Sequence, residues 1–251
     1  DGNHRWSKRF GDLGGSTGRS VAVGPGGEVL LAAHSDGEVD FGGGALVSAG
    51  DFDVFLASLD ADGGHRWSKR FGGPRRDWSR TVAVDPAGNV YLRGRFLDAV
   101  VFGGGPLVSA GSWDIFVASF EADGTPRWSQ RFGAGWDDGG DGMAFDATGN
   151  LYLSGLFGGT VDFGGGPLQS AGFYDLFIAS YTPQGAHRWS LSFGGADQDQ
   201  GRALVVDPAG GIYATGGYAG AVDFGTGRLA AAGLTDIYLL RLLQPESGGA
   251  P

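Results

Sequence analysis

Residues 81–92 read TVAVDPAGNVYL, and this stretch decides the fold. Its two ends, 81–84 and 90–92, are short runs of β-branched, aliphatic and aromatic residues, the types that are enriched in strands. Between them, DPAGN at 85–89 supplies the fixed and positive backbone φ angles that tight turns require. The stretch therefore predicts a β-hairpin, whose strands we call a and b.

Two further strands complete the pattern around this hairpin. Residues 114–120 (DIFVASF) and 66–71 (RWSKRF) are β-rich runs beside Asp-Gly turns, and we call them strands c and d. In strand d, Trp67 and Phe71 fall on one face because side chains alternate along a strand, so this aromatic face should pack on a neighbouring sheet. A Val-x-Phe-Gly run and a leucine, as at 161–168, predict a short extra hairpin between strands b and c.

The whole pattern recurs every 61 residues without insertion or deletion, which gives four copies. The repeated positions include Trp6, Trp67, Trp128 and Trp189; Phe41, Phe102, Phe163 and Phe224; and Asp53, Asp114, Asp175 and Asp236. The copies span 1–61, 62–122, 123–183 and 184–243, and 244–251 are assigned to a C-terminal tail or linker. Four short strands per copy with recurring aromatic residues predict an all-β fold, a β-propeller of four blades.

The two ends of the repeat predict how this propeller closes. Strand d stands alone at 4–10, whereas the last copy ends with strand c at 236–242. We therefore expect the N-terminal strand to pair with the C-terminal strands in a single closed domain, because pairing removes exposed strand edges. Two alternatives stay open, in which the copies form part of a larger ring or assemble by strand exchange. A β-solenoid is disfavoured because both terminal copies lack the atypical sequence of caps.

The same residues resemble a known family. The sequence VAVDPAGNVYLRG at 82–94, strand c at 114–120, and then Gly124, Trp128 and Phe132 are similar to the bacterial SBBP-type β-propeller repeat. The hairpin is also similar to NHL-type blades. The resemblance covers nearly the whole chain and implies a propeller of a secreted or cell-surface bacterial protein, generally without an assigned catalytic activity. No charged and then apolar leader precedes Asp1, so we expect that any export signal either has been removed or was never present.

Composition narrows the classes of partner. The formal net charge is −10, with 18 Lys plus Arg against 28 Asp plus Glu, so phosphate backbones should repel the chain and nucleic acid is not an expected partner. No apolar run approaches the length that spans a bilayer, which argues against membrane insertion. With 0 Cys the chain has no disulfide and no thiolate ligand, and the 51 Gly indicate many tight turns.

Candidate ligand-binding residues come from positions that differ between copies, because a single asymmetric site must use them. These positions lie in the loops from d to a and from b to c, which share one face of a propeller. Aromatic residues beside carboxylates are suited to stacking on sugars or gripping a peptide. The predicted residues are Trp78, Trp113, Trp136, Tyr174, Asp137, Asp138, Asp197 and Asp199. The alternative is that the aromatic residues only cover the ends of the blades.

Other repeated polar residues are better explained by structure than by chemistry. His4, His65 and His187 share one column, but it lies at the outer edge of separate blades, so we expect neither a metal site nor a cofactor. Asp114 opens strand c, where its carboxylate can accept backbone N–H groups. The leading hypothesis is a non-enzymatic recognition or scaffold module that binds an unidentified protein or glycan ligand through the face of the d-to-a and b-to-c loops. The alternatives are a lectin-like glycan binder and a hydrolase or lyase that uses the four aspartates of the candidate site.

Overall fold

The computed structural model describes residues 2–243, and the predicted tail at 244–251 lies outside the described residues. The described residues form β-strands throughout, without a helix, which confirms the all-β prediction. They divide into two compact units, Asp1–Ser109 with Ile115–Arg131 (unit 1) and Ala110–Asp114 with Phe132–Pro251 (unit 2). Each unit contains two of the repeated sheets, so the units are described separately.

Unit 1 is built from the first two repeated sheets. In chain order the strands are β1 (Ser16–Val23), β2 (Val29–Ser35), β3 (Glu38–Asp40), β4 (Ala45–Val47), β5 (Asp53–Leu59), β6 (His65–Phe71), β7 (Asp77–Val84), β8 (Val90–Phe96), β9 (Ala99–Val100), β10 (Leu107–Val108), β11 (Asp114–Phe120) and β12 (Pro126–Phe132). Sheet 1 has the order β1-β2-β5-β6, and sheet 2 the order β7-β8-β11-β12. The pairs β3-β4 and β9-β10 are the predicted extra hairpins.

Unit 2 repeats this plan with one strand fewer. Its strands are β13 (Gly139–Phe145), β14 (Leu151–Phe157), β15 (Thr160–Asp162), β16 (Pro167–Gln169), β17 (Asp175–Tyr181), β18 (His187–Phe193), β19 (Gln200–Val206), β20 (Ile212–Tyr218), β21 (Ala221–Asp223), β22 (Arg228–Ala230) and β23 (Asp236–Leu242). Sheet 3 has the order β13-β14-β17-β18, whereas sheet 4 has three strands in the order β19-β20-β23. The pairs β15-β16 and β21-β22 are extra hairpins.

The hairpin that decides the fold forms as predicted. β7 and β8 pair antiparallel with Val84 opposite Val90, so the turn between them is the DPAGN stretch. The Asp85 carboxylate accepts hydrogen bonds from the backbone N–H groups of Ala87 and Asn89, both at 2.9 Å. This local bonding satisfies the turn without help from other elements, which is why the sequence alone predicts it.

Sheets pack face to face within each unit through residues of strands a, b and c. In unit 1, Val54 and Leu56 of sheet 1 belong to one buried cluster with Val82 and Val90 of sheet 2. In unit 2, an equivalent cluster joins Leu176 and Ile178 of sheet 3 to Leu204 and Ile212 of sheet 4. Within each unit, the core therefore lies between two sheets that cover each other's inner faces.

The predicted ring closure is not found among the described residues. Residues 4–10 belong to no strand, although the sequence predicts strand d there. In sheet 4, β23 pairs with β20, and no described strand continues the sheet beyond it. The repeated four-stranded sheets are consistent with a propeller-like fold, whereas the predicted number of blades is not confirmed.

The repeated aspartate that opens strand c has the structural role expected for it. Its carboxylate accepts a hydrogen bond from the N–H group four residues earlier in every copy. The donors are Ala49 and Ala110 at 2.9 Å, Ala171 at 2.9 Å and Ala232 at 2.7 Å, for Asp53, Asp114, Asp175 and Asp236 respectively. The carboxylate therefore ties the b-to-c loop to the start of strand c.

Candidate functional site

Most of the predicted site residues of unit 2 meet at the loops that precede β13 and β17, and Asp197 is the exception. The backbone N–H of Asp138 donates to the carbonyl oxygen of Trp113 at 2.7 Å, and that of Asp199 donates to the carbonyl of Tyr174 at 2.7 Å. These two bonds join the d-to-a loops to the b-to-c loops, as the sequence predicts for one shared face. They place Trp113, Trp136, Asp137 and Tyr174 in one loop cluster.

Two aromatic rings form the centre of this cluster. Trp136 and Tyr174 meet edge to face, with ring centroids 6.1 Å apart and an interplanar angle of 88°. Gly158 permits this contact, because a Cβ atom there would lie 2.8 Å from the Trp136 Cβ and 3.1 Å from Tyr174 Cε1. The Trp136 side chain nevertheless remains 47% exposed, and the neighbouring Phe173 is exposed as well. We call Trp136, Phe173, Tyr174 and Asp137 the aromatic–acid patch.

Asp137 is held in the patch by hydrogen bonds from the b-to-c loop. Its carboxylate accepts a hydrogen bond from the Ser112 hydroxyl and lies 3.5 Å from the backbone N of Trp113. Partial burial raises the pKa of the Tyr174 hydroxyl, and the negative charges of Asp137 and Asp138 add to this rise. Tyr174 is therefore a neutral hydrogen-bonding group next to a fixed carboxylate at physiological pH.

Asp138 and Asp199 belong to the framework beneath the patch, because both are buried. Asp138 accepts hydrogen bonds from the N–H groups of Ala134 at 2.9 Å and Gly158 at 3.1 Å. Asp199 accepts the equivalent bonds from Gly195 at 2.8 Å and Ala219 at 3.1 Å. These carboxylates therefore connect loops, and the sequence carries the signal for this role, since both lie in one repeat column with Asp77.

Burial shifts the pKa of this column strongly. Burial raises the pKa of Asp138 to about 7. The hydrogen bonds from backbone N–H groups oppose this rise, and the negative charges of Asp114 and Asp137 add to it. Burial also raises the pKa of Asp77 to about 7, and the negative charge of Asp53 adds to this rise. A perturbed carboxyl often marks a catalytic site. Here the perturbation recurs with the repeat, so the geometry shared by the sheets explains it.

The remaining predicted residues lie apart from the aromatic–acid patch. Asp197 is exposed and lies next to Gly220. Gly220 has a φ of 61°, which favours glycine, and a Cβ atom there would lie 2.3 Å from the Asp197 carboxylate. Trp78 belongs to unit 1, where its ring stacks on His34 at 5.8 Å and has the Arg95 guanidinium 4.7 Å from its centroid. Burial, together with the positive charges of nearby arginines, lowers the pKa of His34 to about 4. Trp78 is thus part of a cationic cluster.

Three features of the structure do not follow from the sequence analysis. Phe173 contributes to the patch, although only the repeat column that follows it, which holds Tyr174, is among the predicted residues. The repeated arginine of strand d joins a hydrogen-bonded chain in sheet 3, in which Arg188 donates to the Tyr152 hydroxyl at 2.9 Å and that hydroxyl donates to Asp146 at 3.0 Å. A groove of about 620 Å³ lies beside this chain, with Asp207 and Arg241 on its lining.

The comparisons with known proteins agree with this architecture. Residues 66–95 match the family model SBBP, a beta-propeller repeat. The match spans β6, β7 and most of β8, which confirms the resemblance seen in the sequence. Within residues 2–243 the structure contains no helix long and apolar enough to cross a membrane.

Two individual proteins are similar to the chain at low identity. The regulatory protein FlaEY of Caulobacter vibrioides is 27% identical over 200 residues, which is 75% of this chain and 21% of that protein. The chain therefore spans about a fifth of the length of this relative. The crystal structure of a protein of unknown function from Bacteroides caccae matches with a TM-score of 0.44 and 14% identity, over 94% of this chain and 64% of that chain.

Proposed function

We propose that the chain is a non-enzymatic recognition or scaffold module that binds a protein ligand through the aromatic–acid patch. The observation that carries this proposal is the Trp136–Tyr174 pair. The two rings pack beside Gly158, which has no side chain to displace them, and nearly half of Trp136 is still exposed. Exposed aromatic rings on ordered loops are the residues that supply most of the energy of protein interfaces. Loops that tie to rigid sheets offer such rings with little loss of entropy on binding.

The charges beside the patch indicate the ligand that suits it. Asp137 and Tyr174 form one edge, and the chain as a whole has a net charge of −10. A basic peptide segment with an apolar or aromatic side chain would satisfy both the rings and the carboxylate.

A glycan ligand is the second candidate, and the same geometry favours it. An exposed tryptophan face beside a fixed carboxylate can stack on a sugar ring and accept hydrogen bonds from its hydroxyl groups. A hydrolase or lyase is less well supported, because Asp138 and Asp199 are buried and occupied by backbone N–H groups. The secreted or cell-surface location stays a prediction from the family resemblance.

Immobilised arrays of random peptides and of glycans separate the two candidates. We expect the full chain to bind basic peptides that contain an aromatic residue, and Trp136→Ala and Phe173→Ala to weaken this binding roughly tenfold, a loss of about 1.4 kcal/mol. Leu234→Ala is the matched control, because Leu234 occupies the Phe173 column in the last copy and is exposed there. Selective binding of glycans would support the lectin-like alternative. Equal binding by the wild type and by both patch variants would move the site elsewhere.

A further inference from the structure

The rings of Trp136 and Tyr174 form an angle on the loop face of unit 2. Their planes are nearly perpendicular, at 88°, and their centroids lie 6.1 Å apart. A group that sits in this angle touches a face of each ring and lies within about 6 Å of both centroids, the range over which an aromatic face attracts a cation. Trp136 is 47% exposed, which leaves ring surface available to a ligand. We call this angle the aromatic corner.

Two glycines form the base of the aromatic corner. A Cβ atom at Gly158 would lie 3.1 Å from both Trp136 Cγ and Tyr174 Cε1, and a Cβ atom at Gly159 would lie 3.2 Å from Trp136 Cδ1. Gly159 also has a φ of 71°, which favours glycine. Side chains at these two positions would crowd the rings. The glycines therefore allow both rings to approach the backbone and to meet at this angle.

The charges around the aromatic corner are negative. The Asp137 carboxylate accepts a hydrogen bond from the Ser112 hydroxyl, which restrains it. Burial raises the pKa of the Tyr174 hydroxyl, and the negative charges of Asp137 and Asp138 add to this rise, so both carboxylates act on this ring. No Lys or Arg occurs in the loops that carry these residues, which are 110–114, 133–138, 157–160 and 170–175. The corner therefore favours a cation over a neutral or anionic group.

The supply of hydrogen-bond acceptors decides which cation suits the corner. A primary ammonium has three N–H donors and is strongly hydrated, so it loses hydrogen bonds to water unless acceptors replace them. The corner offers the Asp137 carboxylate, whereas both oxygens of the buried Asp138 carboxylate already accept bonds from Ala134 and Gly158. A trimethylated ammonium has no N–H donor and presents methyl groups to the two ring faces. It therefore keeps the positive charge without needing further acceptors.

The aromatic corner belongs to one copy of the repeat. In sheet 2, Arg75 and Arg76 occupy the columns of Trp136 and Asp137, so the same columns carry the opposite charge there. Sheet 2 forms its four strands with these residues. Folding of the repeat therefore does not require the aromatic residue and the carboxylate that sheet 3 has in these columns.

We propose that the aromatic corner binds a quaternary ammonium group of the ligand. This inference rests on the proposed function, because it uses the aromatic–acid patch as the binding site and names the chemical group that the patch selects. The methyl groups contact the rings of Trp136 and Tyr174, and the Asp137 carboxylate balances the charge. Two sources supply such a group, a trimethylated lysine of a protein ligand and a free small molecule such as choline.

The test compares choline with 3,3-dimethylbutan-1-ol, which has the same shape and no charge. The full chain is titrated with each probe while NMR follows the indole N–H resonance of Trp136, which the Trp136→Phe variant assigns. We expect choline to shift this resonance and to bind roughly tenfold more tightly than the neutral alcohol. Methylammonium should bind more weakly than choline. Equal affinity for choline and the alcohol would overturn the inference, and so would tighter binding of methylammonium or a Trp136 resonance that choline does not shift.

A third probe distinguishes the two sources of the group. If the amide of N-acetyl-trimethyllysine binds more tightly than choline, the group belongs to a protein ligand, and if it binds more weakly, the group belongs to a free small molecule. The outcome also separates this inference from the proposed function. A chain that binds array peptides through Trp136 but does not distinguish choline from the alcohol keeps the proposed function and loses this inference.

Variants separate the charge from the rings. Asp137→Asn should weaken choline binding roughly two- to fivefold and leave the affinity for the neutral alcohol unchanged, whereas Trp136→Leu should weaken both. Phe52→Leu and Asp197→Asn are the matched controls, because Phe52 occupies the Tyr174 column in sheet 1 and Asp197 is exposed in the next d-to-a loop. Both controls should bind choline like the wild type. Weaker binding by either control, with circular dichroism showing a folded chain, would overturn the assignment to this corner.

Discussion

Leu56 and Leu239 occupy the same position of the repeat and differ in what covers them. Leu56 lies in strand c of sheet 1 and is fully buried against sheet 2, whereas Leu239 lies in strand c of sheet 4 and is mostly exposed. The chemistry of the two side chains and their backbone setting are the same. The contribution of such a residue to the stability of the fold therefore depends on whether a neighbouring sheet covers it, and not on its own strand.

The largest expected effect is at this pair of leucines. Leu56→Ala should lower the free energy of unfolding by roughly 2–5 kcal/mol, because it removes a buried side chain and leaves a cavity. Leu239→Ala should change it by less than about 0.5 kcal/mol, because the side chain is mostly exposed. Urea unfolding of both variants measures the contrast. Equal losses would show that β23 is covered in the monomer, which contradicts the comparison.

A second contrast concerns Asp77 in sheet 2 and Ser16, which occupies the same column in sheet 1. Burial raises the pKa of Asp77 from its ordinary value of 3.8 to about 7. Between about pH 4 and pH 7 the folded state keeps a proton that the unfolded state releases. This group's contribution to stability is therefore complete below pH 4 and is lost as the pH rises to 7, by up to about 1.4 kcal/mol per pH unit.

The Asp77→Asn variant tests this sign directly. The substitution keeps a side chain of the same shape and removes the titration, so its unfolding free energy should fall less between pH 4 and pH 7 than that of the wild type. Ser16→Asn is the control, because it alters the same column without removing a carboxyl group. If Asp77→Asn and the wild type have parallel pH profiles, the carboxylate of Asp77 is ionised in the folded state and this prediction is wrong.

These contrasts show which part of the structure could be predicted from the sequence. The hairpin at 81–92 could, since Asp85 satisfies its turn through neighbours four residues away. The exposure of Leu239 could not, because no feature of DIYLLRL distinguishes a covered strand from an uncovered one. The strand at 4–10 was predicted from its composition, but a strand forms only where a partner edge is available.

The candidate site also has one part that could be predicted from the sequence and another part that could not. Comparison of the copies selected the loops where Trp136 and Tyr174 meet, and their role in ligand binding stays a prediction. It also selected Asp138 and Asp199. The structure buries both side chains, because each lies at the start of strand a and accepts hydrogen bonds from the loops of its own sheet. Their column with Asp77 repeats in three copies, and this repetition is the signal that separates framework residues from candidates for ligand contact.

The third contrast is between Trp67 and Trp6, whose indole N–H groups make the same bond to a turn carbonyl. Trp67 is half-buried in a paired strand and packs on the core of unit 1, so Trp67→Ala should cost on the order of 1–3 kcal/mol. Trp6 lies on an unpaired segment, and Trp6→Ala should cost less than about 1 kcal/mol. Urea unfolding of the two variants measures both losses. A larger loss at Trp6 would indicate that the N-terminal segment is already paired in the monomer.

The smallest expected effect on stability is at Trp136, where the comparison with other copies becomes a test of function. The same column holds Arg75 in sheet 2 and Asp197 in sheet 4, so the repeat folds without an aromatic residue there. Trp136→Ala removes only a ring that is about half exposed. We therefore expect a change in the unfolding free energy within about 0.5 kcal/mol, measured by urea unfolding. A loss above about 1 kcal/mol would mean that the ring covers the end of its sheet as a structural element. A ring that is dispensable for folding and still held in one orientation is what a binding role requires.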